Sequence, residues 1–194
     1  MRLISSIRLC ATALTALFLT GCLVPEKFSA SITIKDDGYV YLFEGTAINY
    51  FAAVSLKDNV KLSDADKRLL EREAAKSARD PGIKKMAYDG EGRYRVRIEQ
   101  ALKYHQEVTS IKLFNITRDK DGLFTVEPPP LDAVMLSELR GAPISLVGTA
   151  SVFLPSSAKV VFQNADSIPG FFSNSYSWKV QSIDSKPKIQ FKLD

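Results

Sequence analysis

The chain has 194 residues, 45% hydrophobic and 25% charged, with 26 Lys+Arg against 22 Asp+Glu. That balance excludes a collagen-like, low-complexity or disordered acidic chain, and a net charge of +4 is too small to call for a nucleic-acid partner. One His and two Cys leave little material for a metal site or a disulfide framework, so neither a metal nor a cofactor is expected.

In chain order, the first element is an address. Arg2 and Arg8 form a basic start, and an apolar run follows from Leu9 to Leu19. That run is roughly 16 Å long as a helix, too short for a ~30 Å hydrocarbon core. Leu19-Thr20-Gly21-Cys22 then resembles the lipobox of bacterial lipoproteins. In that family the Cys thiol is diacylated, the chain is cut before it, and the new amine is often acylated too. The resemblance implies lipidation at Cys22, a removed signal over 1–21 and a short tether over 22–27. Cys10 leaves with the signal, so Cys22 is the only cysteine of the mature chain. A lone exported thiol has no intramolecular partner, and capping by lipid resolves that. Two or three acyl chains, at ~0.8 kcal/mol per buried CH₂, make a stable anchor. Leu23, not Asp, follows the Cys. By resemblance to sorting in enteric bacteria this favours the periplasmic side of the outer membrane. Losing 21 of the 194 residues leaves 173, enough for one well-packed domain over 28–194.

The body reads as α+β: a single antiparallel β-rich domain, sandwich or curved sheet, with one main helix near 63–80. Phe28 to Lys35 alternates, with Phe28, Ala30, Ile32 and Ile34 on one face. Asp36-Asp37-Gly38 is hairpin chemistry in which Gly supplies a positive φ, and Tyr39 to Phe51 continues as a long aromatic and β-branched strand. Leu62 to Arg79 is the helix, started by Ser63 with Asp66 and stopped by Pro81-Gly82. Its Leu70, Ala74 and Ala78 stripe, widened by Leu69 and Ala75, suits packing onto a sheet. Further strands are read at Ile83–Tyr88, Arg93–Tyr104, Val108–Thr117 and Leu123–Val126, with a turn at Asp119–Gly122. Val134–Leu139 reads as one or two helical turns. Ile144–Leu154, Lys159–Phe162, Ser175–Val180 and Lys188–Leu193 complete the strands.

Catalysis is hard to assemble from these residues. His105 is the only imidazole, no Gly-x-Ser-x-Gly is present, and the sole mature Cys is the lipidation site. No catalytic residue is assigned and a non-enzyme is expected. Asp119-Lys-Asp-Gly122 lacks the oxygen ligands of a calcium loop and reads as a hairpin turn. The best anion-binding candidate is the row Arg93, Arg95 and Arg97, with Lys84 and Lys85 before it, since guanidiniums grip lipid phosphates well. The same row also reads as a solvated strand face balanced by Glu91 and Glu99. Pro169-Gly170-Phe171-Phe172 offers a docking loop if exposed, or the closure of a core if not.

Several segments together resemble the LppM-like domain of envelope lipoproteins. These are the lipobox, the Ile34–Tyr39 hairpin, Lys85-Met-Ala-Tyr-Asp-Gly90, Leu154–Val161 and Tyr176-Ser-Trp-Lys-Val180. The resemblance implies a non-enzymatic α+β envelope domain with lipids or glycolipids as ligands. The chain departs from that family's frequent C-terminal transmembrane helix, ending in Ile189-Gln-Phe-Lys-Leu-Asp194. The expectation is a lipid-anchored protein that binds a lipid, a glycolipid or another envelope component. The alternative is an accessory subunit that docks envelope proteins.

Overall fold

The strict alternation after Phe28 carries through into a long strand, but that strand starts earlier. In the computed structural model, which describes residues 23–193 except 109, 132 and 172, β1 runs Leu23–Ile34. The segment expected as a tether is therefore strand, with Val24 and Glu26 buried within it. The signal segment and Cys22 lie outside the described residues. A register shift between Pro25 and Phe28 marks a bulge, which keeps Glu26 on the Arg93 face of the sheet while Phe28 turns to the core.

β2 (Gly38–Asn49) pairs antiparallel with β1 over nearly its whole length, from Ile34↔Tyr39 to Leu23↔Asn49. The turn between them closes through Lys35 N–H to the Gly38 carbonyl at 2.9 Å. Gly38 does not supply a positive φ there. It is needed because a Cβ would sit 2.1 Å from the Leu102 carbonyl oxygen of the neighbouring strand.

The expected continuation of β2 to Phe51 is replaced by a helix, α1 (Tyr50–Lys57). The Asn49 side chain accepts from the Phe51 and Ala52 N–H groups at 3.0 and 3.3 Å, and this cap turns an aromatic stretch of strand-like composition into a helix. After it comes α2 (Asp64–Ser77), started by a full capping box between Ser63 and Asp66. Leu70 and Ala74 are buried as expected, whereas Ala75 and Ala78 face solvent. The helix packs along β3 (Ile83–Gly90), which pairs with β4 (Arg93–Lys103).

The next expected strand, Val108–Thr117, shrinks to β5 (Asn115–Arg118). Its apolar residues instead plug the core from irregular backbone, with Ile111 1% and Phe114 5% exposed. The fully buried Tyr41 hydroxyl donates to the Ile111 carbonyl at 2.7 Å, so the backbone polarity is met by a side chain instead of a ladder. β6 (Phe124–Glu127) follows a turn in which Asp119 Oδ1 accepts from the Asp121 and Leu123 N–H groups, both at 2.9 Å, and Gly122 takes φ 78. Then come α3 (Ala133–Arg140), β7 (Val147–Phe153), β8 (Lys159–Gln163), β9 (Tyr176–Val180) and β10 (Ile189–Lys192).

The strands form a six-stranded sheet, β3-β4-β2-β1-β7-β9, and a four-stranded sheet, β5-β6-β10-β8. The fold is α+β and β-rich, and its pairings are antiparallel except β1–β7, which is parallel with Lys27 opposite Val147 and Ile32 opposite Val152. Both sheets face one core. Ile32, Tyr41, Phe43 and Val152 come from the larger sheet, and Phe124, Val126, Ile189 and Phe191 from the smaller. Phe124 and Phe191 stack at 5.3 Å between ring centres. Asn164 Oδ1 joins the sheets, accepting from the Trp178 indole and the Lys188 N–H, both at 2.8 Å. A second, smaller cluster of Val24, Ile48, Ala52, Ala53 and Leu139 binds α1 and α3 to one end of the large sheet. No helix among the described residues is long and apolar enough to cross a membrane.

Candidate functional site

The alternation of β4 places Tyr94, Val96 and Ile98 inward and Arg95 and Arg97 outward, as the pattern predicts. The structure gives each arginine of the row a carboxylate. Arg93 makes a two-pronged contact with Glu26, Nε to Oε2 at 2.9 Å and Nη2 to Oε1 at 3.1 Å. The Glu26 side chain is only 9% exposed and that of Arg93 33%, so the pair ties β1 to β4 with its carboxylate buried and its guanidinium partly in water. Arg95 reaches Asp89 at 3.1 Å, and Arg97 lies 4.0 Å from Glu44, both on the open surface. The balancing acids are thus Glu26, Asp89 and Glu44, not Glu91 and Glu99. Lys84 and Lys85 are exposed on β3. The row reads as structural at Arg93 and as a solvated face at the other two positions.

The docking-loop residues divide differently. Phe171 is 96% exposed, beside the exposed Ile168, so it does not close the core. Phe172 lies outside the described residues. His105 is exposed in the turn after β4. Among the described residues no three His, Cys, Asp or Glu gather where a metal ion would sit.

Sequence reasoning missed the most apolar concavity. A groove of about 250 Å³ opens at the end of the large sheet where β1 begins. Its wall starts with Leu23, Val24 and Pro25, and continues with Met135 and Leu139 of α3 and Val180 of β9. Pro128, Pro129 and Leu131 form a lip, extended chain that three consecutive prolines hold out of any helix. The surface is overwhelmingly apolar, with Ser110, Ser182 and Ser185 as its small polar groups. Lys112, at the margin, is held by Glu107 at 2.7 Å.

A larger and more polar cavity of about 590 Å³ shares the Pro128–Leu131 and Ile183–Pro187 walls with this groove. Arg140, Lys186 and Lys188 line it. Arg140 pairs with Asp184 at 2.5 Å and Lys188 with Glu127 at 3.0 Å. Among the described residues no carboxylate pairs with Lys186, so this cavity carries one cation in excess of its ion pairs. The result is an amphiphilic site, with an apolar slot and a cationic antechamber.

The signals for this site were scattered over six segments whose apolar residues are individually ordinary, and their convergence depends on the β1–β7 parallel pairing. The triple proline is the one local clue. No family model matches the chain, and no curated protein matches it.

Proposed function

We propose that this protein is a lipid-anchored, non-enzymatic component of the bacterial envelope, held through Cys22 on the periplasmic side of the outer membrane, that binds one acyl chain of an anionic lipid. The observation that carries the reading is the apolar groove whose wall begins at Leu23, one residue after the lipobox Cys. Ligand pockets commonly span ~300–1,000 Å³, and about 250 Å³ suits a single hydrocarbon chain better than a multi-chain lipid core. The headgroup falls in the adjoining cavity, where Lys186 supplies the uncommitted charge. This moves the anionic site away from Arg93, Arg95 and Arg97.

The test is purification of the full chain from bacterial membranes, followed by mass spectrometry of the protein and of its organic extract. A mature protein starting at an acylated Cys22, with about one extra single-chain or diacyl anionic lipid per protein, supports the reading. An unmodified N-terminus sinks the anchor, and a lipid-free extract sinks the groove. Binding of free fatty acids sharpens it further. Each CH₂ contributes ~0.8 kcal/mol and each tenfold in affinity is ~1.4 kcal/mol, so two added carbons tighten binding about tenfold until the groove is full.

A second reading, a protein-docking subunit, draws on Phe171, whose near-complete exposure favours a partner pocket. It predicts a crosslinked envelope partner that is lost in Phe171→Ser.

A further inference from the structure

We infer that the end of the domain formed by α1, α3 and the Pro128–Leu131 lip is a membrane-contact face that lies against the bilayer, and that the groove loads its lipid directly from it. This rests on Cys22 being the lipid anchor and deepens the function proposed for the same groove.

The argument is one of chain length. β1 begins at Leu23, Val24 is buried, and Leu23 is already paired with Asn49 of β2. A lipid on residue 22 therefore leaves no slack, since one residue spans at most about 3.6 Å. The expected six-residue tether would have let the domain tumble freely, and the structure removes it. Whatever surrounds the start of β1 must meet the headgroup region.

What surrounds it is apolar and exposed. Asn49 caps α1 at that end, which places Phe51, 54% exposed, in its first turn. Leu131 is 42% and Val134 68% exposed on the lip and on α3. Val147, 46% exposed, starts β7 opposite Lys27. The Tyr50 hydroxyl donates to Glu138, tying α1 to α3 at this end, while Phe51 extends the exposed apolar surface toward Leu62 and Leu69, with Asp66 beside them. Lys57 and Arg140 close the two helices beside it, and Lys186 and Lys188 line the adjoining cavity. Arg140 and Lys188 are met by Asp184 and Glu127, so the charge this rim offers an anionic lipid surface comes from Lys57 and Lys186 beside the apolar patch.

The far end is excluded from the same membrane. The Phe171 loop leads into β9, where Tyr176 pairs with Val152, itself opposite Ile32. Nine residues of strand separate Ile32 from Leu23, roughly 30 Å at ~3.3 Å per residue. Phe171 is thus carried away from the bilayer that holds the anchor.

The experiment uses the full lipidated chain purified from membranes and reconstituted into vesicles of phosphatidylethanolamine and phosphatidylglycerol. Single cysteines at Phe51→Cys, Val134→Cys and Phe171→Cys carry an environment-sensitive NBD label, and mass spectrometry of the N-terminal peptide reports lipidation separately. A blue-shifted emission with at least a twofold gain at positions 51 and 134, and a water-like emission at 171, is the expected result. An acylated protein whose labels at 51 and 134 stay water-like overturns the contact face while leaving the anchor standing. A shift at 171 alone overturns it in favour of the opposite orientation. An unacylated Cys22 brings down the anchor on which both rest, and the face with it. Folding of each variant is checked by circular dichroism, with Val147→Cys replacing a failed variant at 51 or 134 and Ile168→Cys replacing a failed one at 171.

Discussion

The two ends of the β1–β2 pair are built on different physics. At the end where β1 begins, the anchor end of the proposal above, one ion pair with a buried carboxylate, one Asn cap and a small apolar cluster hold α1 and α3 beside an open groove. At the far end, tyrosines close the structure onto backbone. Tyr39 donates to the Gln106 carbonyl at 2.9 Å, Tyr41 to Ile111 at 2.7 Å, and Tyr104 to Lys35. Each tyrosine buries a ring and satisfies an irregular carbonyl, which lets a loop serve as core without a ladder. The difference teaches where adaptability resides: the far end is stitched shut, and the anchor end keeps a slot that a hydrocarbon chain can fill.

The sharpest break of this comparison is at the anchor end. Arg93→Ala leaves the buried Glu26 carboxylate without its partner, and its expected cost is about 2–3 kcal/mol, below that of a fully buried pair because a third of the Arg93 side chain meets water, read as a lower urea midpoint. Replacing both partners by Met should cost much less, because no charge is then stranded. Equal losses for the single and double variants would show that the pair contributes as packing only.

At the far end, Tyr41→Phe removes one donor and strands the Ile111 carbonyl. The expected loss is about 1–3 kcal/mol, with faster amide exchange across residues 104–114 and none at α1 or α3. Exchange that rises equally at both ends would erase the distinction between them.

Alkali should press hardest on the far end, which holds three of the four tyrosines that burial raises. Burial pushes the Tyr39, Tyr41 and Tyr104 hydroxyls at the far end above the usual tyrosine range, and raises Tyr94, beside Arg93 at the other end, in the same direction. The folded chain therefore keeps protons that the unfolded chain releases from about pH 10 upward, so stability is full below that point and falls as pH rises through it. The expected outcome is a Tm that drops steeply between about pH 10 and 12, coinciding with the late tyrosinate absorbance. A Tm that stays flat over that window would contradict the stitching.

The smallest effect belongs to the exposed arginines. Arg95→Ala and Arg97→Ala should each shift stability by about 1 kcal/mol or less and leave lipid uptake unchanged. Lys186→Glu, by contrast, should weaken binding of an anionic amphiphile severalfold while leaving an uncharged one untouched.

Much of the fold was legible because its signals are local. Alternation in β1 and β4, the Ser63–Asp66 capping box and the Asp119–Gly122 turn each lie within a few residues. α1 was hidden because Tyr50 and Phe51 extend a β-like composition, and only Asn49 followed by Ala52-Ala53 marks the switch. Val108–Phe114 looked like strand because it is apolar, whereas its burial depends on Tyr41 from 70 residues away. The Arg row was visible as a pattern, but Glu26 sits 67 residues from Arg93 and faces it only through a bulge. The groove was invisible for the same reason, as its walls meet only after β1 and β7 have paired in parallel.

The most direct test is a titration of the protein purified from membranes with a fluorescent fatty acid, 11-(dansylamino)undecanoic acid, against the same protein carrying Ser182→Trp at the exposed edge of the groove. The account predicts saturable binding of about one probe per protein, lost by tenfold or more in Ser182→Trp and kept in Arg95→Ala. A probe that fails to bind, or binds equally well with the groove blocked, would contradict it.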